Sequence, residues 1–147
     1  MKAAVAYQKG DALFLHASSQ TTSGLWIASP PFIKAGMNDT PSFLGSALLE
    51  ALGGSLTGLP HPTHWNAVIK PLLDLATVTT WQSFARKAKS ADIMIDEHER
   101  EIRIIPSRNL GTADGFEAIT DESICLPNPS SNEALGTMLI EVLGKSR

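Results

Sequence analysis

Apolar residues recur along this chain with two different periods, and the switches between them divide it into parts. Ala3–Tyr7 and Ala12–His16 are short β-prone runs on either side of Gln8-Lys9-Gly10-Asp11. The glycine and aspartate suit a tight turn, so the two runs predict a β-hairpin. Leu25–Ala28 predicts a third strand, stopped by Ser29-Pro30-Pro31 because proline has no N–H to give a ladder. The period then becomes helical. Asn38–Thr40 offers an N-cap and Pro41 suits a first turn. Leu44, Leu48 and Leu52 share one face, with Phe43, Ala47 and Ala51 beside them, and Gly53-Gly54 is the stop.

The same order returns later. Asp92–Asp96 alternates, with Ile93 and Ile95 on one side and charges on the other. Glu97-His98-Glu99 reads as a polar turn, and Arg100–Ile105 alternates again until Pro106. Phe116–Ile119 and Ser123–Leu126 predict one broken strand or two short ones. Ser130-x-x-Glu133 forms a capping box before a helix whose buried stripe is Leu135, Leu139, Val142 and Leu143, with Gly144 as its stop. Between the halves, Ser55–Pro71 has no period and Leu72–Thr79 is apolar without a decisive one. Thr79-x-x-Gln82 predicts a capped helix over Thr80–Lys89 with Trp81, Phe84, Ala85 and Ala88 as its stripe. Arg86, Lys87 and Lys89 stand at its carboxyl end, where positive charge suits the dipole.

The two main helices echo each other: LGSALLEALGGS at 44–55 and LGTMLIEVLGKS at 135–146, 91 positions apart. The expected fold is α+β: an antiparallel β-sheet with packed helices, made of two pseudo-repeated β-β-β-α halves. Chance likeness between two amphipathic helices is the alternative. The halves, 1–55 and 91–147, belong to a single domain over 1–147, joined by a helical and irregular segment. The 147 residues suffice for one such core.

Composition narrows the class. The chain is 43% hydrophobic and 18% charged. No apolar run approaches the roughly 20 residues of a membrane-crossing helix, and Gln8–Asp11 interrupts any signal-peptide core. A lone Cys125 suits a reducing compartment. The expectation is a soluble cytoplasmic protein without a membrane partner. Net charge is −3, unevenly spread: Ala91–Cys125 holds nine acidic and three basic residues, a segment of −6, so the remainder is +3. Such a run is ordinarily a solvated face, and otherwise a surface that steers a basic partner. Nucleic acid is a poor partner for it, since phosphates need clustered Lys and Arg.

Catalytic and cofactor chemistry find little support. His61 and His64 have a helical metal-ligand spacing, but Pro62 lies between them and no cysteine or carboxylate is near in sequence. They read as loop histidines, His16 as a strand-end residue and His98 as part of a turn. Cys125, between Ile124 and Leu126, reads as a small buried hydrophobe. No Gly-x-Ser-x-Gly, Gly-x-Gly-x-x-Gly or Walker loop occurs. No catalytic residue, metal or cofactor is expected. Trp26 and Trp81 read as core, whereas Trp65 is the tryptophan expected at the surface.

Three features of the second half recur together: Trp81-x-x-Phe84-x-x-x-Ala88 leading into Asp92-Ile93-Met94-Ile95; Ile102-Arg103-Ile104-Ile105-Pro106; and Ile124-x-Leu126-Pro127 before Ala134-Leu135-Gly136-x-x-Leu139-x-x-x-Leu143. Together they resemble the CdiI-type immunity proteins of bacterial contact-dependent growth inhibition. The likeness covers Thr80–Arg147 and, more weakly, the Leu44-Gly45 helix. It rests on apolar residues, which speak for a shared fold more than a shared partner. The resemblance implies a small cytoplasmic protein, not an enzyme, that binds and blocks the toxic carboxyl-terminal domain of a cognate effector, often a nuclease. Carboxylates that occupy a basic substrate cleft would serve that role. Asp96, Glu97, Glu99, Asp121 and Glu122 are the residues expected there, with Arg100 or Trp65 as anchors. Two alternatives stand beside it. One is a small enzyme using the acidic hairpin with His61, His64 or His98. The other is a structural or regulatory homodimer joined through an open sheet edge.

Overall fold

The computed structural model describes residues 1–96, 98 and 100–147. Strands β1 (Lys2–Lys9) and β2 (Ala12–Thr21) form the expected hairpin, with Gly10 at φ +58° in its turn. β3 (Trp26–Gly36) follows, then helix α1 (Pro41–Gly53), β4 (Thr57–Leu59), α2 (Trp65–Leu75) and α3 (Trp81–Ala85). The second half contributes β5 (Lys89–Asp96), β6 (Glu101–Asn109), β7 (Phe116–Ala118), a 3₁₀ turn over Thr120–Glu122, β8 (Ile124–Pro127) and α4 (Asn132–Lys145). One sheet in the order β3-β2-β1-β5-β6 unites them. β7 and β8 share the outer edge of β6, and β4 pairs in parallel with the end of β2; every other pairing is antiparallel. The fold is therefore α+β, as the two periods imply.

Alternation along the strands gives the sheet two different faces. On one, Ala4, Ala6, Leu13, Leu15, Ala91, Ile93, Ile102 and Ile104 are buried against α1 and α4. The stripes Leu44, Leu48, Leu52 and Leu135, Leu139, Val142, Leu143 complete this core. Phe43, beside the first stripe, is exposed. The helices meet at Gly45 and Gly136. Two buried serines then lock them to the hairpins. The Ser55 hydroxyl accepts from Ala3 N–H at 3.0 Å and donates to Ser18 C=O at 2.6 Å. The Ser146 hydroxyl accepts from Ser90 N–H at 3.0 Å and donates to Ser107 C=O at 2.6 Å.

The second face is covered only toward the β1–β2 turn. There α2 and α3 lay Leu72, Leu73 and Phe84 over Tyr7 and Phe14, and Tyr7 meets Phe84 edge-on at 5.1 Å. Helix α3 is much shorter than the expected Thr80–Lys89. Thr80, not Thr79, caps it, accepting from Ser83 N–H at 3.1 Å. Its end is bound from outside the helix. The Lys9 ammonium donates to the carbonyls of Ser83, Phe84 and Arg86, and the Asn109 amide donates to those of Ala85 and Ala88.

Other expectations also change, each for a local reason. β3 runs through Pro30 and Pro31 because both fall in the register shift opposite His16 and Ala17, where no ladder N–H is required, and β3 is an edge strand. β6 runs through Pro106. Its carbonyl accepts from Ile119 N–H at 2.8 Å on the outer side, and its missing N–H faces that same side, in the gap between β7 and β8. Ser131, not Ser130, caps α4 through Ala134 N–H at 3.1 Å, while the Ser130 hydroxyl donates to Pro127 C=O. The helix passes Gly144 to end at Lys145. Cys125 is exposed, not buried, since β8 is an edge strand with its Cys125 side outward.

Candidate protein-binding face

The part of the second face that α2 and α3 leave open is built by cross-strand rows. His16 on β2, Val5 on β1, Asp92 on β5 and Ile105 on β6 make one row. Ser18, Ala3, Met94 and Arg103 make the next, toward the end of the sheet that carries the β2–β3 and β5–β6 turns. Because β1 and β5 are the middle strands, their side chains are flanked by neighbours on both sides even where no helix covers them.

Charge on this face is uneven. Asp92 makes no hydrogen bond or ion pair among the described residues, and burial raises its carboxyl pKa above the usual aspartate value. Two cations of this face, Lys9 and Lys34, and its imidazole are engaged elsewhere. Lys9 is held on α3 carbonyls, and Lys34 lies 5.9 Å from the Phe14 ring centre. His16 is only 3% exposed, and its Nδ1 is 2.8 Å from the Ala17 carbonyl. Burial lowers its pKa in spite of that bond, so it stays neutral near pH 7. It lies mid-strand, between the rings of Tyr7 and Phe32, and not at a strand end. Burial, and then the nearby Asp92 charge, push the Tyr7 hydroxyl pKa up. Arg103 lines an adjoining cleft with Met1, Met94, Asp96 and Glu101.

A cleft of about 230 Å³ opens beside Asp92, lined by Ala3, Val5, Ser18, Trp26 and Met94. Trp26, expected in the core, is 36% exposed because it begins edge strand β3 at the uncovered end of the sheet. Leu25 and Met1 are exposed at the same end. Trp65 is 51% exposed, as expected, but stands in the first turn of α2 rather than in irregular chain. It meets His61 edge-on at 5.4 Å, and His61 reaches the Ser23 hydroxyl in the β2–β3 turn at 2.9 Å. His61, His64 and His98 are exposed, and no group of three or more metal-ligating side chains occurs among the described residues.

The sequence-derived site residues do not form one patch. Asp96 and Arg100 share the β5–β6 turn: Asp96 Oδ1 accepts from His98 N–H at 2.9 Å, and Arg100, at φ +53°, donates its N–H to Asp96 C=O at 3.0 Å. Glu97 and Glu99 lie outside the described residues. Asp121 and Glu122 are in the 3₁₀ turn, far along β6 from that hairpin end. Glu122 Oε1 pairs with Arg147 at 2.8 Å, while its Oε2 is buried and unpartnered among the described residues. Asp92 and Trp26, which line the cleft, are not among the residues expected from the sequence. Asp92 carried a signal, a charge alternating with isoleucines, but its pairing in mid-sheet depends on long-range contacts.

No family model and no curated protein matches this chain. Solved structures do. A protein of unknown function from Neisseria meningitidis superposes with a TM-score of 0.81 at 19% identity, covering 99% of this chain and 95% of that one. A chain of the CdiA-CT/CdiI toxin and immunity complex from Yersinia pseudotuberculosis superposes with a TM-score of 0.77 at 15% identity, covering 99% and 97%. At these identities the likeness establishes a common fold over the whole chain.

Proposed function

We propose that this protein is an immunity protein that binds and neutralises the carboxyl-terminal toxin domain, a nuclease, of a cognate contact-dependent growth inhibition effector. The observation that carries the reading is the end-to-end likeness of its fold to a chain from a toxin and immunity complex. The surface supports it. Carboxylates Asp92, Asp96 and Glu101 stand with exposed Met1, Leu25 and Trp26 at one end of the sheet, the mixture of anion and apolar area that suits a basic protein partner. The protein acts in the cytoplasm, by occlusion and without chemistry of its own.

Co-expression tests this reading. The terminal domain of the cognate effector should arrest growth when produced alone. Co-production of this protein should restore growth, and the two should co-purify. Reversing Asp96, Glu97 and Glu99 to lysine should weaken the complex and flatten its salt dependence. Unchanged affinity and salt dependence would remove that hairpin from the interface.

A further inference from the structure

The Asp92 cleft presents a carboxylate to a small, largely apolar space, and among the described residues no hydrogen bond or ion pair is made to it, Arg103 standing diagonally across on β6 and lining the adjoining cleft. Its cross-strand neighbours are Val5 and Ile105, its cleft partners are Ala3, Ser18, Trp26 and Met94, and the imidazole one strand beyond Val5 is neutral. A desolvated, unpaired carboxylate costs stability, so a charge-bearing side chain placed there calls for a partner cation. At about 230 Å³, the cleft lies below the ~300–1,000 Å³ of most small-molecule sites. It has room for one long side chain, whose methylenes would pack on Met94 and Trp26 while its charged head meets Asp92.

We propose that this cleft receives one basic side chain, arginine or lysine, from the protein partner, with Asp92 as its counter-ion and Trp26 as its wall. The inference rests on the immunity reading for the identity of that partner. It adds an anchor at a half-buried carboxylate to the acidic residues of the β5–β6 hairpin. The hairpin steers the approach, whereas loss of the Asp92 pair acts on dissociation.

Two measurements test it separately from the immunity reading. The isotope-labelled protein is titrated by NMR with N-acetylated, C-amidated Gly-Arg-Gly, Gly-Lys-Gly and Gly-Gly-Gly, to about 20 mM because a single side chain binds in the millimolar range at best. The expected result is saturable shifts of the Trp26 indole N–H and the Met94 methyl with a basic peptide, absent with triglycine and lost in Asp92→Asn. No such shifts, or shifts that persist in Asp92→Asn, would overturn the proposal. In the second measurement, Asp92→Asn is compared with wild type for affinity toward the effector's terminal domain. A loss of about tenfold or more, mostly in dissociation rate, is expected for a buried anchor. A complex that forms with unchanged affinity overturns the anchor and leaves the immunity reading standing. A wild-type protein that forms no complex sinks the immunity reading, and the peptide titration then decides the cleft alone.

Discussion

Gly45 and Gly136 hold reciprocal positions: each presses the start of the other's helix. A Cβ at Gly45 would fall 1.8 Å from the carbonyl oxygen of Asn132, and one at Gly136 1.8 Å from that of Pro41. Both obstacles are backbone, which a rotamer change cannot relieve. Gly45→Ala and Gly136→Ala should therefore each destabilise the fold by about 2–4 kcal/mol, at or above the usual range for overpacking. The double variant should cost less than the sum, because the first substitution already separates the helices. Urea unfolding of the four proteins checks this.

Ser55 and Ser146 give a second matched pair, each closing one N–H and one C=O between neighbouring strands. Replacing either by alanine leaves both backbone groups buried without that partner. Each substitution should cost about 1–3 kcal/mol. Amide exchange should speed up at Ala3 in Ser55→Ala and at Ser90 in Ser146→Ala, while the other site stays protected. Equal effects at both amides in either variant would show that the two locks are not independent.

The separation of 91 residues that relates LGSALLEALGGS to LGTMLIEVLGKS also relates Gly45 to Gly136 and Ser55 to Ser146. In the sequence these residues look like helix punctuation. Their contacts require knowledge that α1 and α4 lie side by side, which no local period contains. The hairpins and both long helices were legible because one face of each is apolar. The strands run on through Pro30-Pro31 and Pro106, where the sequence predicts their ends, because proline's lost N–H matters only where a partner strand needs it. The acidic hairpin was visible as charge. The Asp92 cleft was not, because its desolvation comes from the β1–β5 pairing of residues almost ninety positions apart.

Asp92→Asn should stabilise the isolated protein slightly at pH 7, by about 1 kcal/mol or less, as removal of an uncompensated binding charge commonly does. The sign follows from its raised pKa. The folded state disfavours the ionised form, so the penalty is full above the folded pKa and disappears below the ordinary aspartate value near 3.9. The gap in melting temperature between variant and wild type should shrink as pH falls through that window. The other titratable or charged groups facing Asp92 are Tyr7 on β1, His16 on β2 and Arg103 on β6. Tyr7 keeps its proton throughout, and His16→Gln serves as the control for histidine titration. A variant less stable than wild type at pH 7 would mean that Asp92 is already paired within the fold.

The most direct test of the proposed role is growth of cells producing the cognate effector's terminal domain, with and without this protein, followed by purification through a tag on the toxin domain. Restored growth and a stoichiometric complex from which the toxin domain emerges inactive are expected. Arrested growth with this protein present at high level, and no complex on the tagged domain, would contradict it.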